Sequence, residues 1–380
     1  MQRGHDVCLQ TWAQWREDVE ALGMRFEPAP EYQVFPTLEK PLKPYQAAIR
    51  AAHETQPLIE DVDPEVVVAD ILTIAAGLAA EVAGRPWATL VPHVLPVSEP
   101  GFPPYSIGAR LPRTPVGSAL WRALDPIVRS GTEQGRDELN ETRRRLGLAP
   151  LDHVHGGISR ELALVATFPQ LEYPRRSSWP WVRVTGPLMY ERPADDVELP
   201  PGDDPLVLVA PSTSQDRKQR MLRAALAGLA DEPVRVIATT NVRGYPLPDI
   251  PVPANARLVD WLSYTRTMPH CAAVVCHAGH GTVVRALANG VPLVACPAAG
   301  DMAENAARVS WAGAGVSLPR RLVTERGVRL AVRKLLSDQR YAARARELAE
   351  WAERNDGAAV AADVLEEKLR GWDSNPQPFD

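Results

Sequence analysis

The sequence predicts an α/β protein made of two doubly wound domains that face one another across a cleft. Short apolar runs alternate with longer segments of helical period, the alternation stops at a proline- and acid-rich stretch over 186–205, and it then restarts. Such alternation marks parallel strands joined by crossover helices. A length of 380 residues fits two domains at ~100–200 residues each.

The strands expected in the first half are Asp6–Gln10, Val66–Ala69, Ala88–Val91, Leu162–Thr167 and Trp181–Thr185. Between them Leu72–Ala83 reads as a helix, and Trp121–Leu146 as a long, charged one with a break at Ser130-Gly131. The stretch Gly186–Pro205 holds five prolines and six acidic residues without period, as a solvated linker does. Strands resume at Leu206–Ala210, Val234–Ala238, Ala272–Cys276, Pro292–Cys296 and Gly315–Leu318. Asn355-Asp356-Gly357 is a turn signal, and a helix follows it. The domains expected are residues 1–188 and 206–357, joined by a linker at 189–205. A terminal helix at 358–370 packs back on the first domain, and a disordered tail occupies 371–380.

Composition excludes several classes. Hydrophobic residues make up 45% of the chain, enough for real cores, and a net charge of −5 lacks the basic footprint of a nucleic-acid binder. No apolar run reaches the ~18 residues of a membrane span; Val66–Gly84 is interrupted by Asp70 and Glu81. The start lacks the apolar region of a signal peptide, so the expected location is the cytoplasm. The four cysteines, Cys8, Cys271, Cys276 and Cys296, have no metal-ligand spacing and read as reduced thiols.

The most informative stretch is Ala272–Gly290, where an apolar strand enters His277-Ala278-Gly279-His280-Gly281-Thr282 and then a helix. Glycines allow close approach of a ligand, Thr282 suits an N-cap, and the free N–H groups of a first helical turn attract a diphosphate. His277 at the strand end can add a side-chain hydrogen bond to a phosphate. A glycine-rich strand–helix turn can equally bind nothing, and the residues of the loop alone leave both readings open.

Neighbouring segments extend the pattern. Val259-Asp260-Trp261-Leu262-Ser263 precedes the loop, while Val291-Pro292-Leu293-Val294-Ala295-Cys296-Pro297 and Gly300-Asp301-Met302-Ala303-Glu304-Asn305 follow it. In order, spacing and residue type the series resembles the donor-binding signature of nucleotide-sugar-dependent glycosyltransferases of the GT-B fold, particularly bacterial enzymes that decorate macrolides and other natural products. The resemblance covers the second domain; Gly4-His5-Asp6-Val7, Val66–Asp70 and Thr185-Gly186-Pro187 extend it more weakly through the first. It implies that Trp261 stacks on the nucleobase and that Leu262 offers backbone groups to its edge. His277 and the backbone of Gly279, His280, Gly281 and Thr282 would hold the diphosphate. Ser212 and Thr213 would reach phosphate or sugar oxygens, and Asp301 would accept from sugar hydroxyls. Blander readings stand beside these: Trp261 as core, Asp301 as a helix N-terminal acid, Ser212 and Thr213 as turn hydroxyls. Two positions depart from the family. Met302 stands where many relatives carry Gln, and Arg285 where a ribose-binding Glu is common; an arginine cannot accept from a hydroxyl.

Relatives open with a strand, a Gly/His loop whose His is the general base, and a helix before the segment resembling Gly4–Val7. That unit needs roughly 20–25 residues, so the base is expected to be absent here. Asp70 resembles the carboxylate that orients it, although Asp70 can also cap the following helix. His5 reads as structural, and His93 in Val91-Pro92-His93-Val94 is a substitute only if geometry places it. Loss of a central strand would leave sheet edges open to self-association or a homodimer.

The expected activity is transfer of a sugar from a UDP- or dTDP-sugar to a hydroxyl of a lipophilic small molecule, with no metal and no other cofactor. The acceptor pocket would draw on Phe35–Tyr45 and Pro92–Tyr105, and the resemblance implies inversion at the sugar. A non-catalytic nucleotide-sugar-binding or auxiliary protein is the alternative, and an epimerase or hydrolase on the same fold is a third reading.

Overall fold

A computed structural model describes residues 1, 3–30, 46–97, 99–152, 157–177, 179–212, 216, 218–244 and 246–374. The first half runs β1 (Cys8–Thr11), α1 (Arg16–Ala21), β2 (Arg25–Pro28), α2 (Gln46–Val62), β3 (Val67–Asp70), α3 (Ile74–Val82) and β4 (Trp87–Val91), then α4 (Pro115–Arg122), α5 (Asp125–Arg145), β5 (Ala163–Val165) and β6 (Val182–Val184). The second half runs β7 (Leu206–Ala210), α6 (Arg220–Leu229), β8 (Arg235–Thr239), β9 (Ala256–Val259), α7 (Tyr264–Thr267), β10 (Cys271–Cys276) and α8 (His280–Ala288). It continues with β11 (Leu293–Ala295), α9 (Met302–Ala312), β12 (Gly315–Ser317), α10 (Glu325–Ser337), α11 (Gln339–Arg354) and α12 (Gly357–Ser374).

Every strand pair is parallel, and the second half forms one sheet of order β12-β11-β10-β7-β8-β9. Its central strand β7 is an unbroken apolar run because both of its faces are covered. Leu206, Leu208 and Ala210 pack with Val283, Val284 and Leu287 of α8 and Leu348 of α11. Val207 and Val209 pack on the other face with Met221, Leu222 and Leu226 of α6 and Val328 and Val332 of α10. Strand order reverses between β7 and β10, which opens a crevice at their carboxyl ends where ligands of such sheets bind.

The first half departs from a single doubly wound sheet. Its strands divide into a four-stranded sheet, β3-β4-β5-β6, and a separate pair, β1-β2. Neither β2, β9 nor α2, which carries Pro57 in its interior, was legible from the periodicity. The long charged helix breaks at Ala123-Leu124 rather than at Ser130-Gly131. Pro126 lies in the first turn of α5 and cannot continue the preceding helix, whereas Gly131 meets no atom around its Cβ position and costs only ~1 kcal/mol there. The terminal helix reaches Ser374, past the expected boundary at 370; residues 375–380 lie outside the described residues. Asp356 accepts from the N–H groups of Ala358 and Ala359 at its start.

Helix α12 lies against the first half, where Ala361, Val364 and Leu365 pack beside Ala88, Leu162 and Leu164. Arg3 donates to Asp363 (2.6 Å) and Lys368 pairs with Glu161 (3.1 Å). Where α12 begins, the chain crosses Gly186: a Cβ on Gly357 would come within 2.5 Å of the carbonyls of Gly186 and Pro187, so only glycine fits. Deeper in the interface, Arg308 of α9 is 3% exposed and pairs with Glu304 (2.7 Å) in its own helix and Glu172 (3.6 Å) across the interface. It also donates to the Leu171 carbonyl, and its guanidinium lies 3.5 Å over the Tyr173 ring.

Candidate functional site

A cavity of about 350 Å³ opens at the carboxyl ends of β7, β9 and β10. Its floor is the loop from β10 into α8. Ala278 adopts a left-handed backbone (φ 62°), a conformation that costs a non-glycine residue ~1–2 kcal/mol. Asn305 holds it there by donating from Nδ2 to the Ala278 carbonyl (3.0 Å), and strained loops of this kind recur at ligand sites. Gly279 is the N-cap of α8, so Thr282 sits inside the first turn instead of capping it. The Thr282 side chain meets the Tyr264 hydroxyl, which burial pushes up to about 12. A Cβ added to Gly279 would meet nothing within 4 Å. Its φ is −59°, so neither conformation nor packing requires glycine at this position.

His277 lines the cavity and is buried. Its Nδ1 accepts from the Ser212 N–H (2.8 Å), and its Nε2 faces Asp216 at 3.5 Å. Burial lowers its pKa while Asp216 works to raise it. Asp216 also accepts from the N–H groups of Arg220 and Met221 at the start of α6. The imidazole thus fixes the Ser212 loop to the β10 loop, and its Nδ1 is already engaged. Thr213 lies outside the described residues.

The cavity wall carries groups that only donate. Trp261 Nε1 and Arg285 Nε are both buried without a hydrogen-bond partner among the described residues, and both line the cavity. The other nitrogens of Arg285 donate to the carbonyls of Gly281 (3.0 Å) and Tyr190. The carboxylate lining the cavity, Glu191, accepts from Ser263 Oγ, Tyr264 N and Thr265 N. Burial works to raise its pKa, but these hydrogen bonds outweigh it and hold the carboxyl below its ordinary range. Leu262 is buried and lines the cavity, as does Met302 at the start of α9. Asp301 is absent from the cavity lining and accepts from Asn305 Nδ2 (3.1 Å).

Trp15, Tyr190, Glu191, Arg192, Asn241 and Tyr264 also line the cavity, and sequence reasoning missed all six. The linker crosses the cavity mouth, where the Arg192 guanidinium stacks 4.7 Å from the Trp15 ring and pairs with Asp18 (2.8 Å). Tyr190-Glu191-Arg192, a compact polar and aromatic group inside an otherwise proline- and Asp-rich stretch, was the available signal.

Across the cleft, Asp70 ends β3, and its carboxylate accepts from the Leu72 N–H (2.8 Å) in a tight turn; Thr73 is the N-cap of α3. Burial pushes its pKa up, against the pull of Leu72 and of His93. The expected loop at 35–45 lies outside the described residues.

A profile described as the "Erythromycin biosynthesis protein CIII-like, C-terminal domain" matches residues 223–366. The 4'-demethylrebeccamycin synthase of Lentzea aerocolonigenes is 32% identical over 398 residues, covering 96% of this chain and 93% of the relative. The chain belongs to the nucleotide-sugar-dependent glycosyltransferases. This glycosyltransferase is also 31% identical over 308 residues to the PGL/p-HBAD biosynthesis glycosyltransferase Rv2958c of Mycobacterium tuberculosis, covering 77% of the chain and 68% of the relative. Its fold matches the crystal structure of the calicheamicin glycosyltransferase CalG4 with a TM-score of 0.73 at 22% identity, over 97% of this chain and 92% of the other. It matches the glycosyltransferase VinC, solved with dTDP, with a TM-score of 0.66 at 18% identity, over 97% and 94%. The architecture is therefore GT-B, and the glycosyltransferase is of the natural-product type.

Proposed function

We propose that the glycosyltransferase binds the nucleoside diphosphate of a UDP- or dTDP-sugar in the 350 Å³ cavity and transfers the sugar to a hydroxyl of a lipophilic small molecule held by the first half. One observation carries the reading: Gly279 leaves open space at a helix N-terminus, in a cavity lined by Trp261 and Arg285, whose buried Nε1 and Nε have no hydrogen-bond partner among the described residues. Such a cavity asks for an anion bearing many acceptor oxygens. Trp261 offers the base a flat face, the α8 N-terminus takes the diphosphate, and Met302 and Asp301 adjoin the sugar. As the sugar bond breaks, negative charge develops on the leaving diphosphate, and fixed N–H groups stabilise it there. The acceptor lies over Pro92–Tyr105, and Asp70 acts from the acceptor side.

The exposed apolar residues Leu9, Val68 and Leu72 support self-association through the sheet edges of the first half. Calorimetric titration with UDP and dTDP tests the donor site. Micromolar binding that weakens at least tenfold in Trp261→Ala supports it; no binding, or binding indifferent to that change, removes it.

A further inference from the structure

Exposed apolar side chains gather along one helical stretch of the first half. Val116 and Leu120 of α4 are 71% and 68% exposed, and Ile127 of α5 is 71% exposed. Leu124 at the junction of the two helices and Ile107 ahead of them are exposed as well. Val116, Leu120, Leu124 and Ile127 follow one another at spacings of four, four and three, which puts them on one face of a helix. Backbone bonds from Ala123 to Ala119 and from Val128 to Leu124, both 3.1 Å, keep the helical turn across the break. At 1.5 Å per residue the stripe is about 16 Å long. Another side of the same stretch is occupied. Asp125 accepts from the Gly101 N–H (3.3 Å), and a Cβ on Gly101 would come within 3.3 Å of the Ser118 carbonyl and of Arg122.

Charge sharpens the picture. Between Ile107 and Ser130 stand four arginines, Arg110, Arg113, Arg122 and Arg129, against a single acid, Asp125. All four arginines are exposed, and none forms an ion pair among the described residues. Further along α5 the arginines are matched: Arg136 with Asp137 (2.8 Å), Arg143 with Glu81 (2.7 Å) and Arg145 with Glu141 (2.8 Å). The unmatched cations of this region therefore accompany the apolar stripe, in a chain whose net charge is −5. Exposed apolar surface beside uncompensated arginine suits a partner that is apolar inside and anionic at its edge. A second copy of the chain does not meet that demand, because a two-fold contact would set the same four arginines against themselves.

We propose that this face of α4 and the start of α5 docks on an anionic lipid bilayer. Val116, Leu120, Leu124 and Ile127 enter the boundary of the acyl chains, while the arginines donate to lipid phosphates, a geometry that guanidinium groups favour. The remaining acidic surface is repelled by the same lipids, so docking has one preferred orientation. The stretch rests on Gly101, which belongs to the segment Pro92–Tyr105. Docking thus carries the acceptor side of the molecule to the phase in which a lipophilic acceptor dissolves. That consequence rests on the function proposed above; the docking itself does not.

The test is flotation of the full 380-residue chain with vesicles of phosphatidylcholine alone and with vesicles in which about one lipid in three is phosphatidylglycerol. Binding is expected to the second kind only. It is expected to be lost as salt rises from about 0.1 M to about 1 M, which shortens the Debye length from ~10 Å to ~3 Å. Two sets of substitutions are compared, Val116→Ser with Leu120→Ser and Ile127→Ser, and Arg110→Gln with Arg113→Gln and Arg129→Gln. Each set is expected to weaken vesicle binding by about tenfold or more and to leave the thermal melt unchanged, since only exposed side chains are altered. The arginine set and the salt dependence decide the matter if the serine set does not fold. No binding to either vesicle, equal binding to both, or binding that neither set weakens overturns the proposal. A wild-type dimer that the serine set converts to monomer in sedimentation equilibrium also overturns it, by giving the face to a second copy. UDP titration is read separately. A chain that docks on vesicles and binds no UDP removes the donor-site reading and keeps this surface; one that binds UDP and no vesicle does the reverse.

Discussion

In the second half six parallel strands form one sheet, and all five residues of its central strand, Leu206–Ala210, are buried. In the first half the strands are shared between two sheets, and Val68 on the outer strand β3 is 43% exposed, with Leu72 just beyond it at 65%. The same alternation of apolar runs and helices thus produces a closed core in one half and an open edge in the other. Burying a side chain of this size contributes ~1.5–3 kcal/mol, so each exposed position is stabilisation the first half lacks. The second half makes up part of that difference by lending contacts: α12 covers Ala88, Leu162 and Leu164, and Arg308 ties α9 to Glu172. The first half leans on the second through residues far apart in sequence.

Breaking the Arg308 contact is expected to have the largest effect. Arg308→Ala strands Glu304 and Glu172 in a buried site, and stability is expected to fall by about 3–5 kcal/mol in denaturant unfolding. Two separate transitions in that experiment would show the first half unfolding ahead of the second. A single transition at unchanged midpoint would refute the dependence.

His280 gives the next effect, through pH. Its pKa in the folded chain is lowered to about 4, below the ~6.5 of an unfolded histidine. Between these values the unfolded chain binds the extra proton, so stability falls as pH drops from ~6.5 towards 4, by on the order of 2–3 kcal/mol. His280→Gln is expected to flatten this part of the stability–pH curve; a slope unchanged in the variant would assign it to other groups.

Gly357→Ala forces a Cβ against the carbonyls of Gly186 and Pro187 at the hinge of α12, and is expected to cost about 1–3 kcal/mol. Thermal melting measures that cost, and a melt unchanged from wild type would mean that α12 can shift away from the crossing without loss.

The smallest structural effect is expected at Gly279. Gly279→Ala adds a methyl to open space, so stability should stay within ~0.5 kcal/mol. If the space belongs to a diphosphate, UDP affinity falls about tenfold, equivalent to ~1.4 kcal/mol. Unchanged affinity would make the open space incidental.

The second half was legible in the sequence because its strands are continuous apolar runs bounded by Gly, Pro and Asn. Leu206–Ala210 lies where its pattern puts it, and the loop from His277 to Thr282 enters a helix as its glycines imply. Trp261, Leu262, Ser212, Gly279, His280, Gly281, Thr282 and Met302 all line one cavity, although strands far apart in the chain bring them there. Less was readable where tertiary contacts overrule local signals. The break in the charged helix follows Pro126 rather than Gly131, since a proline forbids continuation while a solvent-facing glycine only weakens it. The linker looked solvated because its period is absent, yet Glu191 is bound by three donors of the second half.

The sequence by itself determined the α/β class, the two halves and the strand–loop–helix that forms the floor of the donor cavity. These follow from periodicity and backbone chemistry, which act over a few residues. Tertiary structure alone decided that His277 engages Ser212 and Asp216 and that Trp15 and the linker wall the cavity. It also decided that the terminal helix serves the opposite half. Those outcomes depend on which distant segments compete for the same hydrogen bonds and the same apolar surface, and no local pattern records the winner.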